Sequence, residues 1–310
     1  MYLDRLKKKI IEYDRFGEHR VNGLKAVFAL EMLFLFNFIY SVPNPYFYYF
    51  YIPLTAFAAE IAGNTLADKF LLYFYTMLGS IISVFLFGLF SPYKIFFVIF
   101  VFFYSLLIYM LAIRKLQNMF VPAPLILSLA TYSLIYGNNN SNFYLALNHT
   151  LETIIAMCIV MVALLFFPRL YYQWIWRNGF YDVLAQVEEL TGRISNGEQV
   201  QVPIISGTII MDRYSKMLSR RCLKVFSILK ITLLTLDLVM AVSYLVSFQK
   251  QLRAPYIAFL HRHVLLLKEA CKLKKPVVIK DNELSVFRET HELRTLHHII
   301  CSWNYLCLAK

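Results

Sequence analysis

The sequence predicts an all-α membrane protein: a six-helix transmembrane bundle followed by a cytoplasmic α-helical domain. Residues 24–168 stay apolar almost throughout when they are read in windows of about twenty residues. Short polar breaks divide this stretch into six runs, each near the ~20 residues with which a helix crosses a ~30 Å hydrocarbon core. A water-soluble domain cannot bury six helices that are apolar on every side. Lipid can accommodate them, because each helix satisfies its own backbone polar groups.

Composition and charge agree with this fold class. The 310 residues are 59% hydrophobic and 16% charged, and the formal net charge is +12. In a soluble protein such a charge would indicate nucleic-acid binding. Here the basic residues flank or follow the apolar runs, which is typical of cytoplasmic loops beside an anionic inner leaflet. We therefore expect membrane lipid, and no nucleic acid, as a partner.

The six predicted spans end at short polar or Pro-containing breaks. They cover Leu24–Tyr40, Phe47–Ala62, Phe70–Phe90, Ile95–Ile113, Phe120–Tyr136 and Leu145–Phe167, and Pro168-Arg169 stops the last one. Lys and Arg lie in the N-terminal segment, in alternate connections and after the sixth span, whereas the other connections hold only Lys94. By the positive-inside rule both termini are cytoplasmic. The expected localisation is the inner membrane, in a multi-pass arrangement.

This topology divides the chain into three parts. Residues 1–23 form a basic cytoplasmic or interfacial segment, residues 24–169 the six-span domain, and residues 170–310 the cytoplasmic helical domain. In the last part, a helical rhythm that starts near Asn178 ends at Ser195-Asn196-Gly197. A second helix is expected from about Ile209, with a polar face made of Arg213, Lys216, Arg220, Arg221 and Lys224.

Residues 225–248 are long and apolar enough for a seventh span. They also hold Lys230 and Asp237, and a seventh crossing would export a tail that is rich in Lys and Arg. We therefore favour a cytoplasmic or interface-lying helix, with the seventh span as the alternative. One or two further helices follow, with Leu273 to Asp281 as a Pro-containing connection.

Polar residues inside the apolar runs are the candidates for function. A charge at mid-bilayer costs about 2.5–3.5 kcal/mol on insertion scales, so it should face a cavity or a partner. The predicted substrate path consists of Lys25, Glu31, Asn37, Thr55, Glu60, Thr76 and Glu152. The alternatives are ion pairs between helices, side chains that reach the interface, and helix–helix hydrogen bonds. Gly79, Ser80 and Gly88 are predicted to allow close helix packing.

Catalytic motifs are missing from the sequence, which has no G-x-S-x-G, no HExxH and no phosphate-binding glycine loop. The histidine clusters are His261-Arg262-His263 and His297-His298, with Cys301 as the nearby candidate for a further zinc ligand. A solvated basic face explains these residues better than a metal site does. We therefore expect no enzymatic activity, no catalytic residues, no cofactor and no metal.

Three parts of the bundle carry a family resemblance. Gly23 to Ala29 opens the first span with a basic residue. Ile52-Pro53-Leu54-Thr55, Gly63-Asn64-Thr65-Leu66 and Thr76-Met77-Leu78-Gly79 lie in the second span, the loop and the third span. Glu152-Thr153 and Phe167-Pro168-Arg169 begin and stop the sixth. In this order and spacing, over about residues 22–170, they resemble the fusaric-acid-resistance / aromatic acid exporter family, which is related to the plant aluminium-activated malate channels. Leu72 and Tyr75 stand where the family usually has Arg and Gly.

The resemblance implies a six-helix membrane domain followed by a cytoplasmic helical domain, in an exporter of small organic, often aromatic, carboxylates. Many members carry this unit twice in one chain, so the single copy here implies a homodimer. In that interpretation Lys25 attracts the carboxylate and Glu31 couples or gates transport. The alternatives are a passive organic-anion channel and a membrane scaffold that recruits a partner through its cytoplasmic helices.

Overall fold

The computed structural model describes residues 13–42, 44–114, 117–135, 143–168, 170–198, 205–218, 223–248 and 254–308. Within these ranges all regular secondary structure is helical, as the sequence predicts. The chain divides into two compact units. Residues 19–168 form the first, which we call the bundle unit, and residues 169–310 together with 1–18 form the second, the C-terminal unit.

The bundle unit follows the predicted spans closely. Its helices are α1 (Glu18–Ile39), α2 (Ile52–Ala62), α3 (Leu66–Phe90), α4 (Lys94–Arg114), α5 (Pro122–Ile135) and α6 (Phe143–Phe166), and a π-helical segment, Phe47–Tyr51, leads directly into α2. Helices α2 and α5 have 11 and 14 residues. At ~1.5 Å per residue they are about 16 and 21 Å long, shorter than a bilayer core.

Five helices of the described residues are long and apolar enough to cross a membrane. Four of them are α1, α3, α4 and α6, and the fifth covers Lys224–Ser247 in the C-terminal unit. The chain therefore has the composition of a multi-pass membrane protein. The count of six crossings, which needs the shorter α2 and α5, stays a prediction.

Helix α3 is the centre of the bundle unit, where it packs against α2, α5 and α6. The side chain of Thr65 caps its start by accepting a hydrogen bond from the Asp68 backbone N–H at 3.1 Å. Phe87 from α3 and Met157 from α6 lie in the common core with Phe47. Helix α4, by contrast, buries only Ala112 among its residues. Many of its other apolar side chains, such as Val98, Phe102 and Leu106, are exposed and therefore available to lipid.

The C-terminal unit contains five α-helices within the described residues: α7 (Leu170–Ser195), α8 (Ser206–Met217), α9 (Leu223–Ser247), α10 (Ala254–Leu273) and α11 (His291–Leu308). Helix α7 ends at Ser195 as predicted, and Gly197 takes a left-handed backbone with φ +77°. The segment after Leu273 has no α-helix until His291, in agreement with the predicted connection.

Two boundaries of this unit differ from the predictions. Helix α7 begins at Leu170 and not near Asn178, because the aromatic run before Asn178 is itself helical. The predicted basic face is not one helix either, since α8 ends at Met217 and Lys224 belongs to α9. Arg220 and Arg221 lie outside the described residues.

Helix α9, the ambiguous apolar helix of the sequence, is a core helix of the C-terminal unit. Its buried face includes Ile231 and Leu238, and it packs against α11. The opposite face is also apolar, with an exposed stripe that consists of Phe226, Leu233, Met240 and Tyr244. The Asp237 carboxylate accepts a hydrogen bond from the Thr295 hydroxyl of α11 at 3.0 Å, whereas Lys230 is exposed. The cytoplasmic or interface-lying location of α9 stays a prediction, with the seventh span as the alternative.

Candidate functional site

Three charged side chains meet inside the bundle unit, at the end where α1 and α3 begin and α2 finishes. The Lys25 ammonium lies 2.8 Å from the Glu60 Oε1 atom, and the Lys69 ammonium lies 2.6 Å from the same oxygen. Lys25 is only 2% exposed, Glu60 5% and Lys69 8%. We call this group the lysine–glutamate cluster. A buried carboxylate that receives two ammonium groups makes strong charge-assisted hydrogen bonds.

Local features hold the cluster in place. The Lys25 ammonium also donates to Asn22 at 3.4 Å and lies 5.8 Å from the centre of the Phe167 ring. Gly63 lets α3 approach the end of α2, because a Cβ atom at Gly63 would lie 2.5 Å from the Lys69 Cγ atom. The cluster therefore depends on a residue without a side chain at this turn.

A second polar pair lies at the other end of α2. His149 and Glu152 are buried on α6, with 3.3 Å between the His149 Nδ1 and Glu152 Oε2 atoms. The Phe47 ring packs on the imidazole with a centroid distance of 5.5 Å. Phe47 and Glu60 are thirteen residues apart in one continuous helical segment, so the two sites are separated by about 20 Å.

Only one of the two ring nitrogens of His149 has a hydrogen-bond partner among the described residues. Its Nε2 atom is buried and has no hydrogen-bond partner among the described residues. Buried polar atoms of this kind are rare in folded proteins, since each costs about 1–3 kcal/mol. The pair therefore brings an imidazole and a carboxylate together in a buried site, with one imidazole nitrogen left over.

The polar residues between these sites, which include the predicted path residues Thr55 and Thr76, are buried but mostly satisfied locally. Thr55 donates to the Tyr51 carbonyl at 3.0 Å, and Thr76 donates to the Leu72 carbonyl at 2.8 Å. Ser80 is fully buried, and its Oγ atom has no partner among the described residues. Thr55 and Thr76 therefore satisfy their hydroxyls within their own helices, while Ser80 offers an unused polar atom to the interior.

Glu31 and Asn37 lie apart from the lysine–glutamate cluster. Glu31 is exposed on α1, in a shallow groove that it forms with Val27, Leu30, Phe34, Leu35 and Tyr49. The Tyr49 hydroxyl is buried and has no partner among the described residues. Asn37 accepts a hydrogen bond from the Val42 backbone N–H at 2.7 Å, so it shapes the end of α1.

The predicted packing residues lie where helices approach closely. A Cβ atom at Gly88 would lie 2.5 Å from the Ala146 Cβ atom of α6. A Cβ atom at Gly79 would lie 3.2 Å from the Ile126 Cδ1 atom of α5. Both glycines of α3 therefore face a neighbouring helix, and a side chain at Gly88 would force α3 and α6 apart.

Two residues of these sites were not among the sequence candidates. Lys69 counted only as a charge of a cytoplasmic connection, although its position in the first turn of α3 brings it to Glu60. His149 was overlooked, although its i,i+3 spacing to Glu152 places both on one face of α6. Among the described residues, no group of three or more His, Cys, Asp or Glu side chains has the arrangement of a metal site.

Comparisons with models of protein families, with curated proteins and with solved structures find no match for this chain. The resemblance to the exporter family therefore rests on the residues quoted above and stays a prediction. The two buried polar sites of the bundle unit are the features that bear on function.

Proposed function

We propose that this protein is a multi-pass inner-membrane transporter, with both termini in the cytoplasm, that exports small organic carboxylates, aromatic ones among them, as a homodimer. The observation that carries the proposal is the lysine–glutamate cluster. Two ammonium groups share one carboxylate oxygen inside a unit whose outer surface is apolar. Such a cluster is a recognition point for a second carboxylate.

Anion recognition would proceed by exchange of partners. An entering carboxylate replaces Glu60 as the acceptor for Lys25, while Lys69 keeps its hydrogen bond with Glu60. The exchange conserves the number of ion pairs, so the ammonium group never becomes a bare charge in a dry interior. The Phe167 ring, which already lies beside the Lys25 ammonium, offers an apolar surface for an aromatic substrate.

The His149–Glu152 pair supports proton coupling over passive flow. It lies about 20 Å from the cluster along α2 and the π-helical segment before it, near the start of α6, and it has an unused Nε2 atom. We propose that it takes up a proton during export. Glu31, whose carboxylate is exposed on α1, would then serve at the surface of the bundle unit or between protomers and not in the coupling step.

Transport by purified protein in sealed vesicles tests the proposal. A panel of aromatic and aliphatic acids is measured with and without a pH gradient, and a benzoate-like acid should move faster with the gradient. Lys25→Gln should abolish this flux, whereas Glu31→Gln should preserve most of it. Equal flux from the Lys25→Gln variant would refute the role of the cluster.

The two other candidates give different outcomes in the same experiment. A passive channel would carry the anion at the same rate without a pH gradient, and His149→Gln would leave that rate unchanged. A membrane scaffold would move no acid at all, and its function would disappear on deletion of residues 178–310. The buried titratable pair favours the coupled transporter over both.

A further inference from the structure

The C-terminal unit contains a cavity of about 470 Å³ that brings together all three tryptophans of the chain and three basic residues. These six lining residues are Trp174, Trp176, Arg177, Lys224, Lys274 and Trp303. They come from α7, from the start of α9, from the end of α10 and from α11. We call this cavity the tryptophan pocket. No acidic side chain of the described residues lines it.

The aromatic walls of the pocket are held rigidly. The Trp176 indole N–H donates to the Thr232 hydroxyl at 2.9 Å, and the Trp303 indole N–H donates to the Lys275 carbonyl at 2.9 Å. Trp176 and Trp303 are each almost fully buried. Trp174 packs on Gly17, whose φ of +84° and missing side chain admit the ring. The aromatic surfaces are therefore in place before any ligand enters.

The basic side chains of the pocket have no acidic partner among the described residues of the unit. Arg177, Lys224 and Lys274 make no ion pair with any described residue, whereas other cations of the C-terminal unit do, such as Lys268 with Glu188 at 2.8 Å. Arg177 and Lys224 are half-buried and Lys274 is exposed, so all three charges border a cavity that solvent can enter. Three cations that line one cavity without an acidic neighbour create a site of strong positive potential.

Lys274 adds a second, independent observation. It has a φ of +56°, the one left-handed backbone among the non-glycine residues that the structure describes. The position ends α10, where glycine is the usual residue because a side chain costs about 1–2 kcal/mol in this conformation. A lysine at this position places a charged side chain on the pocket wall. Backbone strain of this kind is concentrated at functional sites.

We propose that the tryptophan pocket binds an amphiphilic anion: a phosphate or carboxylate group attached to an apolar or aromatic body. The cations hold the anionic group and the indoles pack against the body. The volume matches a small-molecule site. A soluble aromatic carboxylate and the headgroup region of an anionic lipid share this chemistry. The site is separate from the lysine–glutamate cluster, so it does not depend on the transport function proposed above.

Tryptophan fluorescence of the full-length protein in a zwitterionic detergent gives a direct test, because every tryptophan of the chain lines the pocket. One arm titrates benzoate against benzamide, its uncharged counterpart. The other arm titrates a short-chain phosphatidylglycerol against the matching phosphatidylcholine. Excitation at the red edge of the indole band avoids the tyrosines. The variants are Lys224→Gln and Lys274→Gln, with Lys272→Gln as the control, because Lys272 is an exposed lysine of α10 outside the pocket.

We expect a saturable spectral change with at least one anionic probe and none with its uncharged or zwitterionic counterpart. Each pocket variant should weaken the apparent affinity by about fivefold, and the control should leave it unchanged. Saturation with benzoate alone identifies a soluble anion as the ligand, and saturation with phosphatidylglycerol alone identifies a lipid. The absence of saturation with both probes, or equal affinity in the pocket variants and the wild type, overturns the proposal.

Discussion

The two units of this protein place their lysines in opposite environments. In the bundle unit, Lys25 and Lys69 are buried and both bind the Glu60 carboxylate within 2.8 Å. In the C-terminal unit, Lys224 and Lys274 line an open cavity and make no ion pair with any described residue. Both arrangements are stable for a physical reason: a dry interior demands a counter-charge, whereas a solvated cavity lets water screen the cation.

This contrast indicates how each unit would bind an anion. A ligand in the bundle unit has to compete with an internal carboxylate, so it binds by exchange and can be released again. A ligand in the tryptophan pocket meets cations without an internal competitor, so it binds by addition. The first arrangement suits passage of a substrate and the second suits retention of a ligand.

The largest effect should follow from loss of the shared carboxylate. Glu60→Gln leaves two buried ammonium groups without their counter-charge, and the free energy of unfolding should fall by about 3–5 kcal/mol. Denaturant titration in detergent, followed by circular dichroism, measures this change.

Two variants serve as controls for that measurement. Glu31→Gln, on the exposed face of α1, and Lys224→Gln, in the tryptophan pocket, should each stay within about 0.5 kcal/mol of the wild type. A loss from Lys224→Gln as large as that from Glu60→Gln would remove the contrast between the two units.

Thiol reactivity should distinguish the inside of the C-terminal unit from its surface. Burial raises the pKa of Cys271 to about 12, against the opposing influence of the Arg177 charge. The thiol therefore stays protonated up to a high pH, and at pH 8 its thiolate fraction is roughly a thousandfold below that of an ordinary cysteine. Maleimide labelling followed by peptide mass spectrometry should modify the exposed Cys301 first.

Raising the pH from 7 to 10 should accelerate labelling of Cys271 about tenfold per pH unit, because its pKa lies above this range, while Cys301 serves as the exposed reference. Similar rates for both thiols at pH 8 would show that the Cys271 side chain is open to water. The interior of the C-terminal unit beside the pocket would then be wetter than its packing indicates.

A methyl group at Gly63 should damage the lysine–glutamate cluster without removing any charge. Gly63→Ala brings a Cβ atom within 2.5 Å of the Lys69 Cγ atom and within 2.8 Å of its Cα atom, so α3 has to shift. We expect a loss of about 1–3 kcal/mol in unfolding free energy. Thermal unfolding, monitored by light scattering and circular dichroism, measures this loss of stability relative to the wild type.

Gly23→Ala is the matched control, because a Cβ atom at Gly23 in α1 meets nothing within 4 Å. It should raise the stability by up to about 1 kcal/mol, since alanine favours a helix more than glycine does. If both alanine variants behave alike, close approach at Gly63 is not what positions Lys69.

The smallest effect should be a gain in stability at the tryptophan pocket. Lys274→Gly relieves a left-handed backbone, and we expect the unfolding free energy to rise by about 1 kcal/mol. The same variant should weaken binding of the anionic probe. A gain in stability together with a loss of binding is the signature of strain that is kept for function. Unchanged stability would show that the surrounding chain relaxes the strain.

Local signals in the sequence were enough for most of the helical architecture. The apolar runs, Gly197 at the end of α7 and the Pro-containing stretch after Leu273 all mark boundaries that the structure has. These features depend on neighbours within a few residues, so they can be read without a fold. The sequence placed Lys25 and Glu60 on a predicted substrate path, with ion pairs between helices as the alternative, but it did not indicate which residues would pair.

The tertiary structure alone decided which distant residues meet. Glu60 forms ion pairs with Lys25 and Lys69. Glu31, from the same helix as Lys25, faces outward because the side chains of α1 point in different directions around its axis. Trp174 and Trp303 lie far apart in the chain and become neighbours only when α7 packs in one unit with α11. Composition predicts a helix and its apolar character, but long-range packing selects its partners, and both anion sites proposed here consist of such partners.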